Sequence, residues 1–208
     1  MPPIVRPDAL AAALRGGGAY ARAPPWPHAR IEGLFDEARL RRIRDELGAL
    51  QRTFKETDLF RVYQTGDLAN LDASEPEHAR ALGETLALRE ALYSPPFREF
   101  VRSLTGCAPL SGKTDCSVNV YARGCHLLLH DDVISSRCVS YIIYLSRPGK
   151  KWAAELGGAL EMYDRAPDGS PRTAPCLLLP PEFGSMVMFT VQPGVSYHAI
   201  AEVCSPMW

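Results

Sequence analysis

Ser117–Ser146 reads SVNVYARGCHLLLHDDVISSRCVSYIIYLS. Short β-branched or aromatic runs are separated here by Gly, Asp and Ser, the punctuation of strands joined by turns rather than of helices. The same grammar continues downstream in GGALEMYD (157–164), SMVMFTV (185–191) and VSYHAIAEV (195–203). Short strands at regular spacing predict a sandwich or barrel over residues 111–208.

Upstream the period changes. After APPWP (23–27), the stretch Phe35–Phe54 sets Leu40, Ile43, Leu47, Leu50 and Phe54 at helical spacings among charges. Two further helices are predicted over Glu75–Leu92, with Ala79, Leu82, Leu86 and Leu88, and over Pro96–Leu104, with Phe97, Phe100, Val101 and Leu104. Residues 28–110 therefore read as mainly helical support laid on one sheet, giving an α+β chain that is mostly β. The segment 59–71, LFRVYQTGDLANL, has neither period and is expected to be an ordered loop. Residues 1–27 read as a flexible lead containing a short helix capped by Asp8 and ended at Gly16. A competing reading is an organelle transit peptide, since Arg6, Arg15, Arg22 and Arg30 face only Asp8. No internal repeat or linker divides the chain.

With 208 residues, 46% hydrophobic, and a net charge of −1, the chain can bury one core but lacks the basic balance of a protein that holds nucleic acid by phosphate neutralisation. No apolar run approaches the roughly 18 residues needed to cross a bilayer. The six cysteines form no C-x-x-C pair, which excludes a zinc ribbon and a thioredoxin motif. They read as reduced thiols, which favours a reducing compartment, cytoplasmic or nuclear.

His130-Asp131-Asp132 falls between two predicted strands, and His198 lies inside a later one. Two neutral imidazoles and a carboxylate on one face of an octahedron hold Fe(II) and leave positions open for a cosubstrate and O2. In a strand or tight turn, residues i and i+2 point to one side, so His130 and Asp132 can reach one ion while Asp131 faces away and serves the turn. Two other readings stay open. The residues can be surface acids beside a satisfied core histidine, or His126 and His130 in HLLLH can form a helical i, i+4 zinc pair, though without its adjacent Glu base.

The runs FKETDLFRVYQTGDLANL (54–71), NVYARGCHLLLHDD (119–132), RCVSYIIYLS (137–146), GGALEMYD (157–164) and VSYHAIAEV (195–203) resemble the N-terminal catalytic domain of the eukaryotic ribosomal prolyl-3-hydroxylases, which are Fe(II)- and 2-oxoglutarate-dependent oxygenases. The resemblance covers about residues 28–208. It implies a double-stranded β-helix of jelly-roll type braced by N-terminal helices, with iron held by His130, Asp132 and His198. It also implies that Tyr121 and Tyr144 bind the 2-oxoglutarate carboxylate and that Leu127 lines the cosubstrate site. The segment 59–71 would then flank the mouth of the metal site. Cofactors would be Fe(II), 2-oxoglutarate and O2, with ascorbate as an auxiliary reductant. The partner would be a prolyl residue of a small-subunit ribosomal protein, with no direct nucleic acid and no membrane.

Family members also carry a cosubstrate-anchoring Arg on the strand after the distal His, and a second, non-catalytic β-helix domain. The sequence stops at Trp208, so weak 2-oxoglutarate binding is expected unless another cation, such as Arg123 or Lys113, takes the role. Two alternatives from other classes are a non-catalytic metal-containing β-domain that binds a protein, and an oxygenase acting on alkylated nucleic acid.

Overall fold

A computed structural model describes residues 3–133 and 136–205; Trp208, the last residue of the sequence, lies outside them. Two short helices, α1 (Pro7–Arg15) and α2 (Gly17–Tyr20), precede strand β1 (His28–Ile31) and helix α3 (Glu37–Glu46). Strands β2 (Thr53–Glu56) and β3 (Phe60–Gln64) form a hairpin, followed by helices α4 (Pro76–Ala81), α5 (Gly83–Leu92) and α6 (Pro95–Thr105). The remaining strands are β4 (Asn119–Val120), β5 (His126–His130), β6 (Val139–Ile143), β7 (Leu160–Met162), β8 (Leu177–Leu179), β9 (Met186–Thr190) and β10 (His198–Ile200). All pair antiparallel, in two sheets ordered β1-β9-β6 and β2-β3-β5-β10-β7-β8, with β4 added to β3.

Strand β9 shows why the layers stack as they do. Its side chains alternate, and both sets are buried. Met186 and Met188 face the helices, where Phe97, Phe100, Val101 and Leu104 of α6 complete a core. Val187 and Phe189 face the other sheet and meet Leu160, Met162 and Leu179. Helix α6 is set by its own ends. Ser94 Oγ accepts from Phe97 N–H at 3.3 Å, Pro95 occupies the first turn, and Gly106 leaves at φ 68°.

The structure corrects several expectations. The flexible lead is packed instead: Ile4, Tyr20 and Trp26 are 5%, 2% and 3% exposed. Tyr20 Oη shares a 2.7 Å hydrogen bond with Thr190 Oγ1, and Trp26 Nε1–H donates to Tyr163 O at 3.2 Å. A polar tip with a partner lets a large aromatic enter the core, and composition alone hides that. Helix α1 begins after Arg6, with Pro7 in its first turn and Asp8 inside it, and its chain turns at Gly16.

The long helix of 35–54 stops at Glu46. Thr53–Glu56 is a strand that places Phe54 opposite Tyr63, both on the surface. The helix of 75–92 is broken at Leu82, where φ is −131°. A carboxylate from α3 explains the restart: Glu46 accepts from the backbone N–H groups of Glu84 and Thr85 at 2.9 and 2.7 Å, satisfying the first turn of α5. The loop of 59–71 contains β3, which joins the sheet through β5. Residues 28–110 thus supply three strands as well as helices.

Candidate metal centre

Strand β5 carries one arm of the site and β10 the other. The two pair with His198 opposite His130 and Ile200 opposite Leu127, so three residues of β10 face four of β5. Directly opposed residues share a face, and this irregularity puts Leu127 and His130 on the same side despite their odd spacing. HLLLH is therefore a bulged strand, and the helical i, i+4 zinc pairing of His126 with His130 is overturned.

Strand β5 ends at His130, and the backbone then turns. Asp132 has φ 60°, the left-handed conformation that Asp tolerates better than most residues. The turn, rather than strand alternation, brings its carboxylate back to the histidine. His130 Nε2 lies 3.4 Å from Asp132 Oδ1 and His198 Nε2 lies 3.8 Å from Asp132 Oδ2. The three potential ligand atoms lie within 4.8 Å of one another. The ring centroids of the histidines are 4.2 Å apart, and Phe189 stands edge-on to His198 at 4.7 Å.

Each imidazole is fixed from behind. His130 Nδ1 contacts Leu128 O at 2.9 Å and His198 Nδ1 contacts Ser196 O at 2.8 Å. A carbonyl can only accept, so both Nδ1 atoms carry a proton, which leaves Nε2 of each imidazole, the atom turned toward the carboxylate, as the nitrogen able to bind a metal once it is unprotonated. Burial lowers His198 to about 4, helped by the neighbouring charge on His130, and keeps it neutral at physiological pH. For His130, burial pulls down, but hydrogen bonding to Asp132 outweighs it and raises the value. Burial pushes the Asp132 carboxyl up, yet hydrogen bonds from His130 and Ser140 and the charges of His198 and Arg137 hold it well below the usual range. Two imidazole nitrogens, with the proton on His130 released when an ion binds, and an ionised carboxylate suit a first-row divalent ion such as Fe(II).

Three neighbours were not legible as parts of the site. Ser140 Oγ–H donates to Asp132 Oδ2 at 2.6 Å, and Arg137 Nη1–H donates to Oδ1 at 2.9 Å. Asp131, expected only to serve the turn, accepts from Gly194 N–H at 3.0 Å. No local motif marks such contacts, because their meaning lies in the partner across space.

Tyr121 and Tyr144 line one cavity of about 380 Å³, with Ile142, Gly158 and Ile200. Burial raises both phenols, assisted at Tyr121 by the charges of Cys125 and Asp132; at Tyr144 the charge of Arg30 opposes the rise. Both stay protonated and can donate to an anion. Leu127 does not line this cavity; it sits half-buried between Phe60 and Ile200. The cations on the cavity wall are Arg44 and Arg52, not Arg123 or Lys113.

Comparison with known proteins bears on this geometry. Residues 116–207 match the 2OG-Fe(II) oxygenase superfamily. The fold is the jelly-roll of the 2OG-Fe(II) oxygenases. The chain superposes on a Trichoplax adhaerens prolyl hydroxylase, solved with a hypoxia inducible factor peptide fragment, with a TM-score of 0.69 at 13% identity, covering 96% of this chain and 89% of that one. In sequence it is 48% identical over 184 residues to a prolyl 3,4-dihydroxylase of Ostreococcus tauri and 31% identical over 182 residues to a prolyl 3-hydroxylase of Xenopus laevis. These alignments cover 88% and 87% of this chain but 36% and 32% of the relatives, so the chain spans about a third of their length. Among the described residues no helix is long and apolar enough to cross a membrane.

Proposed function

We propose that this chain is the catalytic part of an Fe(II)- and 2-oxoglutarate-dependent prolyl hydroxylase whose substrate is a prolyl residue of a small-subunit ribosomal protein. One observation carries the chemistry: His130, Asp132 and His198 converge, with both Nε2 atoms turned toward one ionised carboxylate. In this reading His130, Asp132 and His198 hold the iron, and Tyr121 and Tyr144 donate hydrogen bonds to the cosubstrate carboxylate. When bound, the ion, 2-oxoglutarate and O2 would supply hydroxylation of a prolyl C–H bond, one oxygen atom of O2 entering the new hydroxyl and the other the succinate formed, with CO2, from 2-oxoglutarate. The residues themselves orient donors, keep His198 neutral and wall the site with Trp26 and Phe189, which exclude water. The prolyl substrate is supported by the names of the relatives, and its ribosomal source by the resemblance of the sequence runs. Such a substrate fits a cytoplasmic or nuclear location.

The test is succinate formation by the chain with Fe(II), 2-oxoglutarate and prolyl peptides from small-subunit ribosomal proteins, with oxygen insertion read by mass spectrometry. Turnover stimulated by a prolyl peptide and lost in H130A supports the proposal. Stimulation by an alkylated oligonucleotide instead would move the substrate to nucleic acid. Metal binding with no succinate under any condition would indicate a non-catalytic domain.

A further inference from the structure

The two arms of the metal centre come from distant parts of the chain, and ladder pairing between β5 and β10 is short and irregular. A second connection spans them just outside the ligands. Asp131, between His130 and Asp132, reaches across to the turn at 192–196, where its Oδ2 accepts from Gly194 N–H at 3.0 Å. From that turn Ser196 Oγ–H lies 3.3 Å from Asp131 O and 3.1 Å from Gln192 O, and the same oxygen accepts from Gln192 N–H at 2.9 Å. Ser196 is fully buried. Its carbonyl is the one that fixes His198 Nδ1 at 2.8 Å. Gly194 sits at φ 66°, a conformation that side chains disfavour, and this turn presents its N–H to the carboxylate.

We infer that Asp131 is a positioning residue: its side chain and backbone latch the 130–132 turn to the 192–196 turn, and so set where His198 stands relative to His130 and Asp132. The inference rests on the metal reading of the three ligands. It assigns Asp131 a role by hydrogen bonding, not by its charge. What the latch needs is an acceptor oxygen at this place for the Gly194 N–H, and outer contacts that orient metal ligands are typically worth about 10- to 100-fold in metal affinity.

The test uses the 208-residue chain with Mn(II) alone, titrated calorimetrically, and Co(II), whose visible spectrum reports ligand geometry. Circular dichroism checks the fold. D131N keeps an acceptor oxygen and removes the charge; it should bind Mn(II) within about threefold of wild type. D131A should bind about 10- to 100-fold more weakly and shift the Co(II) spectrum. S196A, which leaves the Asp131 charge in place, should weaken binding several-fold. Equal losses in D131N and D131A would show an effect of charge and overturn the latch, as would wild-type affinity in D131A. Should D131A fail to fold, S196A decides, and unchanged affinity there refutes the inference. Absence of Mn(II) binding by the wild-type chain would instead refute the metal reading itself.

Discussion

Replacing Tyr144 by Phe removes a single oxygen and tests whether the cavity beside β6 receives the cosubstrate. Tyr144 lines that cavity and packs against the core cluster that contains Leu160, Met162, Val187 and Phe189, so the substitution keeps the apolar packing. Burial holds the phenol protonated, which makes it a hydrogen-bond donor throughout the physiological range. A hydrogen bond to a charged group contributes about 1.5–3 kcal/mol, and each 1.4 kcal/mol is a tenfold change in affinity. Y144F should therefore weaken 2-oxoglutarate binding by about 10- to 150-fold while leaving Mn(II) affinity unchanged, because Tyr144 touches no ligand. Titration of 2-oxoglutarate into the Mn(II)-loaded chain, without oxygen, separates the two. Cosubstrate affinity within twofold of wild type would refute the assignment. A parallel loss of metal affinity would mean that the substitution disturbs the fold of the site.

Saturating Mn(II), at about 100 times its dissociation constant, should stabilise the wild-type chain by about 2.7 kcal/mol, which at 2–4 °C per kcal/mol raises Tm by roughly 5–11 °C; H198A should show no such rise by differential scanning calorimetry. E84Q tests the link between α3 and α5, where Glu84 accepts from Arg39 Nε at 2.6 Å and Arg42 Nε at 2.8 Å with its side chain 11% exposed. Breaking a buried pair costs about 3–5 kcal/mol, and half-exposed Arg42 places this one at the low end, a Tm drop of roughly 6–12 °C near neutral pH. Burial raises the Glu84 carboxyl, but the two arginines outweigh it and hold the value low. Its contribution is thus present above the unfolded carboxyl value of about 4.3 and lost as pH falls through the lower folded value, so the gap between wild type and E84Q should narrow as the solution is acidified below about 4.3. A gap that is constant with pH would assign the loss to packing. W26A should lose about 3–5 kcal/mol by thermal melting, whereas a loose N-terminal lead would give no change.

The strands that alternate or run apolar were readable, because periodicity reports burial. β9 is the clearest case, with two cores meeting on its two faces. The elements that sequence misplaced are those whose identity is decided elsewhere. Phe54 fits the apolar stripe of α3 as well as it fits a strand; β3 supplies the ladder that settles the matter. The break at Leu82 has no proline or turn motif at the residue itself, and the carboxylate that restarts the helix belongs to Glu46. Residues 1–27 are rich in Gly and Pro, yet Tyr20 and Trp26 are buried and held by hydrogen bonds to Thr190 on β9 and to the Tyr163 carbonyl.

The same distinction runs through the candidate metal centre. Residue type and an i, i+2 spacing are enough to nominate His130 and Asp132, since ligand chemistry is a property of the side chains. How they meet is not. Plain strand alternation would put His130 on the face of Leu128; the irregular pairing with β10 puts it with Leu127, and a positive φ at Asp132 returns the carboxylate. Neither device needs an unusual residue, so neither leaves a mark in the sequence. Asp131 shows the consequence for function. Read along the chain it is a spare acid beside a ligand, but in space its Oδ2 and carbonyl reach Gly194 and Ser196. A substitution there alters the distance between two ligand arms without touching any donor atom, which is why metal affinity and the Co(II) spectrum, rather than turnover alone, are the measurements that reveal it.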